Sequence, residues 1–337
     1  MSVLHAIYRK FRFPFKFINA AFRYPAAQAR VKRYSVMSIE ETIDLLLQNP
    51  QLSLARYGDG ELEMTWYKNI GFQPFDPTLS ARLKALLLHD PAANPHCLIC
   101  LPDAFRTTRN MRSGSALFWF FHKSFYFKHY EALLNKQVRY GNTSVTRPYH
   151  DYKGKHLSRM IFDKFKQLYQ GCRVLIVEGS GTRLGLGNNL LEGASDVKRI
   201  TTLNRNAFSV YDRLFDTVSK HAVNFDLVLI SLGPTATVLA YDLSQRGIRC
   251  IDSGHVDIEY EWMLVSATTK IKVEGKNVNE AGVLLSEETT VADATYQQQI
   301  LLHVGEMPQS RTAEEVANDE AVVIPLPHVS TTHHNAA

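Results

Sequence analysis

The sequence predicts an α/β protein: a single Rossmann-like domain with a mostly parallel sheet flanked by helices. Three observations carry this. From Arg173 to Leu264, strand-like apolar runs alternate with helix-like segments, the pattern of a parallel sheet covered by helices. Those runs end at Glu178, Asn204, Gly233 and Asp252, and ligands of such sheets bind outside the C-terminal strand ends. Nearer the N-terminus, the apolar run Leu52 to Leu54 leads into Ala55-Arg56-Tyr57-Gly58-Asp59-Gly60-Glu61-Leu62-Glu63, so this stretch joins the same rim.

The chain has 337 residues, 45% apolar and 21% charged, enough for a full core. The net charge of +5 belongs to the ends. Residues 1–36 hold eight Lys or Arg and no acid, and residues 281–337 hold eight acids and one Arg. Three regions are therefore expected: a basic aromatic segment over 1–36, a globular domain over 37–275, and an acidic, weakly ordered extension over 276–337. Four cysteines are too few for a disulfide framework. Cys97 and Cys100 form a CxxC, but on a strand they face opposite sides and no second pair completes a zinc site. They read as thiols of a reducing cytoplasm. No apolar run approaches the roughly 18 residues needed to span a bilayer. The start of the sequence does not read as a secretory signal.

In chain order, residues 1–36 mix Tyr8, Phe11, Phe13, Phe15, Phe17, Phe22 and Tyr24 with Arg9, Lys10, Arg12, Lys16 and Arg23, and Pro14 interrupts any helix. Such a segment suits an anionic membrane surface, or packing on the domain or a partner subunit. No nucleic acid partner is expected. The membrane reading would place the protein in the cytoplasm, peripheral at the inner membrane. Ser38 and Glu41 fit a capping box opening a helix over Ile39–Leu47. Strands are expected at Ser53–Tyr57 and His96–Leu101, with a helix at Leu83–Leu88 between them. Arg106, Arg109 and Arg112 are spaced to share a helix face. The aromatic stretch Phe118–Tyr130 reads as core or an oligomer surface, Thr143–Arg147 as a short strand and Leu157–Tyr169 as a helix. Strands then fall at Arg173–Glu178, Arg199–Leu203, Phe225–Leu232 and Ile248–Ile251. Helices fall at Thr182–Leu191, Ala207–His221, Thr235–Gln245 and Ile258–Leu264. One short element is expected at Gln297–Val304.

Four stretches offer chemistry. Asp59 and Glu61 stand close enough to share a hard cation such as Mg²⁺ or Mn²⁺, or they belong to a polar turn before a helix. The Glu178–Asn188 loop approaches the dinucleotide fingerprint but misses its spacing, and the next strand ends in Asn204 without an acid for a ribose. It is expected to open a helix and bind an anion at Gly181 and Thr182, with Arg183 as a forked donor to a diphosphate. Gly233-Pro234-Thr235 reads as a second anion site at a helix start, or as plain capping. In Asp252–Trp262, Asp257 and Glu261 share a helix face. One of them is a candidate general base and His255 a metal ligand or phosphate contact, against satisfied loop polars.

These motifs, in this order, resemble the bacterial GT-D-type glycosyltransferases, over roughly residues 38–275. The resemblance implies a nucleotide-sugar donor, typically UDP-glucose, and a metal-binding DxE motif at Asp59-Gly60-Glu61. It sets Arg56, Gly58 and His255 near the donor and Glu261 near the catalytic centre. The expected function is metal-dependent transfer of a hexose, with glucose first, to a glycan, lipid-linked glycan or glycoprotein hydroxyl in bacterial surface glycoconjugate synthesis. Glu261 is the expected base. The alternatives are an S-adenosylmethionine-dependent methyltransferase and a non-catalytic nucleotide- or glycan-binding module.

Overall fold

In the computed structural model, nine strands form one sheet in which every pairing is parallel. The structure describes residues 3–88, 91–283 and 293–305, with side chains from Phe13 onward. The chain enters through α1 (Val3–Val31), β1 (Ser35–Val36) and α2 (Ile39–Gln48). It continues through β2 (Ser53–Arg56), α3 (Asp59–Met64), α4 (Pro77–Leu87), β3 (Cys97–Leu101), α5 (Asp103–Arg106), α6 (Ser113–Tyr130), β4 (Arg139–Asn142) and α7 (Lys155–Gln167). The second half runs β5 (Arg173–Gly179), β6 (Asp196–Thr202), α8 (Tyr211–Ala222), β7 (Leu227–Ser231), α9 (Pro234–Gln245), β8 (Cys250–Asp252) and α10 (Val256–Leu264). It ends in α11 (Ala294–Gln299) and β9 (Ile300–Val304).

The strand order is β1-β4-β3-β2-β8-β7-β5-β6-β9. From β2 the chain proceeds to one side of the sheet, and β7 leads into β8 from the other. The switch point lies between β2 and β8, where Leu54 pairs with Ile251. A crevice at the C-terminal strand ends belongs there. The central strands are apolar runs buried throughout, such as Leu227–Ser231, because helices cover both faces. Helix α9 is buried along almost its whole length against β2 and β8. The capping box at Ser38 is present, with Ser38 Oγ accepting from the Glu41 N–H at 3.0 Å and Glu41 Oε2 accepting from the Ser38 N–H at 2.7 Å.

Five expectations need correction. Pro14 does not interrupt the N-terminal helix: α1 contains both Pro14 and Pro25. A helix-interior proline costs roughly 3 kcal/mol. Packing offsets it, because Phe13, Phe17, Ala20, Tyr24 and Val31 recur at helical spacing. Phe13 meets Phe121 at 6.0 Å between ring centroids, Phe17 meets Phe120 at 5.4 Å and Tyr24 meets Phe120 at 4.9 Å. The aromatic runs of α1 and α6 are thus each other's partner. Secondly, α5 stops at Arg106 and residues 107–112 are irregular, so the three arginines share no helix face. Thirdly, the strand placed at Thr143–Arg147 lies earlier, at Arg139–Asn142. Asn142 Oδ1 accepts from the Ser144 N–H at 3.0 Å and turns the chain into a 3₁₀ turn.

Fourthly, no helix follows Gly181. Arg183 (φ 53°), Gly185 (φ 76°) and Gly187 (φ 76°) are left-handed, and a right-handed helix cannot pass through them. Lastly, the part of the C-terminal region described, 276–283 and 293–305, packs on the domain rather than trailing from it. The compact unit reaches Gly305. Residues 284–292 and 306–337 lie outside the described residues.

A buried ion pair fixes this last segment. Arg199 Nη1 donates to Glu178 Oε1 at 2.6 Å, Arg199 Nε to Gln299 Oε1 at 2.8 Å, and Tyr296 OH to Glu178 Oε1 at 3.3 Å. Arg199→Met strands the Glu178 charge in the core. It is expected to lower unfolding stability by about 3–5 kcal/mol, read as a lower urea midpoint, and Glu178→Gln in the same chain should recover part of it. An unchanged midpoint for the single variant contradicts the assignment.

Candidate active site

The C-terminal strand ends open into a cavity of about 910 Å³. Its floor is the junction of β2 and β8. Arg56 Nη2 donates to Asp252 Oδ1 at 2.7 Å, Arg56 Nε to the Asp252 carbonyl at 2.7 Å, and the Arg56 N–H to Asp252 Oδ2 at 3.3 Å. Thr237 Oγ1, on α9, donates to the Arg56 carbonyl at 2.8 Å. Gly254 lies against this pair. Its φ is +47°, and a Cβ there would stand 1.9 Å from Arg56 Nη2. Only glycine combines that conformation with that approach.

Helix α3 rises from this floor. Its N-cap is Gly58, whose N–H is bound by Glu61 Oε2 at 2.8 Å. Burial, and then the nearby Asp252 carboxylate, push Glu61 up to about 7. Asp59 is open to the cavity, and desolvation in the cleft raises its carboxyl, with Arg147 opposing the shift. The opposite wall is a charge cluster. Arg147 Nη1 meets Glu280 Oε1 at 2.6 Å, Lys270 Nζ meets Glu280 Oε2 at 2.5 Å, and His255 Nδ1 lies 3.6 Å from Glu280 Oε1. Burial alone would raise Glu280, but Arg147, His255 and Lys270 together outweigh it and hold the carboxyl well below its usual range. Burial, then Arg147, push His255 down to about 4, so its ring is neutral near pH 7. Behind this wall Glu259 Oε2 accepts from the N–H groups of Tyr149 (2.9 Å) and His150 (2.8 Å). That clamp positions Asp151 on the cavity wall, where its Oδ1 accepts from Ser115 Oγ at 2.8 Å.

The third wall is the start of α9. Gly233, at φ +55°, turns the chain beneath the Phe72 ring, and a Cβ there would meet that ring at 2.4 Å. Arg205 and Asn206 complete this side, and Phe118 and Trp119 of α6 close the cavity from the other.

Of the residues expected from the sequence, Arg56, Gly58, Asp59, Glu61, Thr182, Asn204, Gly233, His255 and Asp257 line this one cavity. Others do not. Glu261 stands behind the wall, its Oε1 accepting from Asn188 Nδ2 at 2.7 Å and from Lys276 Nζ at 3.0 Å. Asp257, the other base candidate, is on the wall but is held by the same two residues, Asn188 Nδ2 at 2.7 Å and Lys276 Nζ at 2.6 Å. Arg183 is buried and donates to the Gly275 carbonyl at 2.7 Å instead of facing a diphosphate. Gly181 is held off the cavity, its N–H on Asn204 Oδ1 at 2.6 Å. Pro234 and Thr235 are buried within α9. Arg56 reaches the cavity, but its Nε and Nη2 are spent on Asp252. With no helix after Gly181, the dinucleotide or S-adenosylmethionine mode loses the helix N-terminus it needs. Sequence reasoning missed Phe72, Arg147, Asp151, Lys270 and Glu280. Arg147 carried one signal, its place at the end of the strand expected over Thr143–Arg147, before Pro148. Lys270 and Glu280 lie where periodicity fades and carried none.

A parallel sheet with a polar cavity at its switch point, an acidic helix start and a cationic wall suits a phosphorylated ligand, and comparison supplies the family. Residues 54–281 match the family described as glycosyltransferase GT-D fold, and the chain belongs to that family. The chain is 39% identical over 254 residues to a probable glycosyl transferase Gly of Streptococcus gordonii, covering 75% of this chain and 36% of the relative. It is 36% identical over 269 residues to the glycosyltransferase GlyD of Streptococcus pneumoniae, covering 80% of this chain and 32% of that relative. The chain thus spans about a third of the length of these relatives. A solved domain reported to have a distinct glycosyltransferase fold superposes with a TM-score of 0.74 at 34% identity, over 83% of this chain and 99% of that one. A glycosyltransferase from Streptococcus sanguinis superposes at 0.73 with 37% identity, over 80% and 99%.

Gly254→Ala is expected to break the Arg56–Asp252 contact and cost at least about 3 kcal/mol, seen as a lower melting temperature. A melting curve that matches the parent protein contradicts the packing described.

Proposed function

We propose that this chain transfers a hexose, with glucose as the first expectation, from a UDP-sugar to an acceptor hydroxyl. A divalent cation, Mn²⁺ or Mg²⁺, would be held through Asp59 and Glu61. The observation that supports this reading is convergence. The acidic start of α3, the Arg147–Lys270 wall and the N-terminus of α9 at Gly233 face one cavity. The residues fit a hard cation. Their donors are carboxylate oxygens, and Glu61 sits beside a second buried carboxylate, which leaves negative charge to be offset. Among the described residues no group of three or more His, Cys, Asp or Glu is assembled for a metal. Such cations commonly take only one or two carboxylates, the remaining ligands being phosphate and water. When bound, the cation would neutralise the diphosphate and help the nucleotide depart.

The chain's own groups account for the rest. Arg147 and Lys270, now on Glu280, swing to the diphosphate as charge develops, and the α9 N-terminus adds fixed positive potential. Neutral His255 donates a hydrogen bond to a phosphate oxygen. Asp151 takes the place first given to Glu261. It accepts the proton from the acceptor hydroxyl while that oxygen bonds the anomeric carbon and the bond to the nucleoside diphosphate breaks. The acceptor is a glycan or glycoconjugate of the kind built for bacterial surfaces.

Asp59→Asn is expected to weaken Mn²⁺-dependent UDP binding at least about tenfold by calorimetry. Asp151→Asn is expected to keep that affinity and lose roughly 10²–10³ in transfer rate. Full turnover by Asp151→Asn removes it as the base, and unaltered metal-dependent binding by Asp59→Asn removes the metal assignment.

A further inference from the structure

Helix α1 has a face that no described residue of the domain covers. Phe13, Phe17, Ala20, Tyr24 and Val31 turn toward α6. Phe15, Ile18 and Phe22, at i, i+3 and i+7, form a second apolar stripe pointing away from it. They are 76%, 52% and 83% exposed, far beyond the isolated exposed apolar residue that needs no explanation. Lys16 and Arg23, seven apart, flank the stripe on the α6 side. Their cations lie over exposed-side rings of that helix, Lys16 Nζ 4.9 Å from the Phe121 centroid and Arg23 Cζ 5.5 Å from that of Phe125. Leu117 and Phe118, also exposed, carry the apolar surface along α6 to the cavity, which Phe118 itself lines.

We propose that this face of α1, with the exposed edge of α6, docks on an anionic lipid bilayer. Charge decides the occupant. Residues 1–36 carry eight cations and no acid, which suits lipid phosphates and leaves a second copy of the same face facing like charge. Aromatic rings beside Lys and Arg heads are the composition of a helix lying in the headgroup plane. At 29 residues α1 is about 44 Å long, and no described helix is long and apolar enough to cross a membrane. Contact would therefore be lateral. Because α6 joins the docking face to the cavity, the acceptor is a lipid-anchored glycan presented at that surface. This last clause rests on the transferase reading above, and the docking itself does not.

Deleting the helix would bare the aromatic face of α6, so substitutions on the exposed stripe test the idea better. The full chain should co-float with phosphatidylglycerol–phosphatidylcholine vesicles at least about tenfold more than with phosphatidylcholine alone. Phe15→Ser, Ile18→Ser and Phe22→Ser together should remove that binding, with the melting temperature and the hydrolysis of donor in solution unchanged. A second probe needs no loss of function: the fluorescence added by Phe22→Trp should be quenched by brominated lipid. Binding by the triple variant equal to the parent, no preference for anionic vesicles, or an unquenched indole in the Phe22→Trp variant each overturns the proposal. So does a triple variant that turns a dimer into a monomer in light scattering while still binding vesicles, since the face would then be a subunit interface. A parent chain that hydrolyses donor but ignores vesicles would sink the docking and leave the transferase reading standing, and one that binds vesicles but hydrolyses no donor would do the reverse.

Discussion

The buried pair of Arg56 and Asp252 is the contact on which the site depends. It joins the ends of β2 and β8, the two strands that meet where the strand order reverses. An unpaired charge there would be costly, so each side chain fixes the other. The pair dictates glycine at 254, because no side chain fits beside the guanidinium. Its Asp252 carboxylate also acts on Glu61, which caps α3 through the Gly58 N–H and is pushed up by burial and by Asp252.

Above the cavity floor the charges are held against one another. Arg147 and Lys270 are on Glu280, with His255 nearby and neutral. In the proposed reaction a diphosphate entering this wall would compete with one internal carboxylate for these cations. Glu259, buried behind, holds the backbone at Tyr149 and His150, so the position of Asp151 follows from packing.

The parts of this protein set by local pattern were legible in the sequence. The strand–helix alternation, the capping box at Ser38 and the helix start at Gly233 follow from periodicity and backbone geometry, and nine of the expected site residues do line one cavity. What local pattern misjudged was partnership. Arg183 and Glu261 have the right chemistry, but Gly275, Asn188 and Lys276 hold them away from the cavity. Lys276 sits in a stretch with no periodic signal, so nothing nearby announced it. Pro14 misled in the same way: the rule is local, whereas the packing of Phe13 and Phe17 on α6 is not. Likewise, β9 completes the sheet edge through Arg199, about a hundred residues away in sequence.

The central claim is that one cavity binds a nucleotide sugar together with a divalent cation. A thermal-shift series with UDP-sugars, other nucleotide sugars and S-adenosylmethionine, each with Mn²⁺ and with chelator, tests it most directly. The account expects a clear rise in melting temperature with a UDP-sugar and Mn²⁺ together, and little with either alone. A rise with UDP-sugar that is unaffected by chelator, or one produced by S-adenosylmethionine, would contradict it.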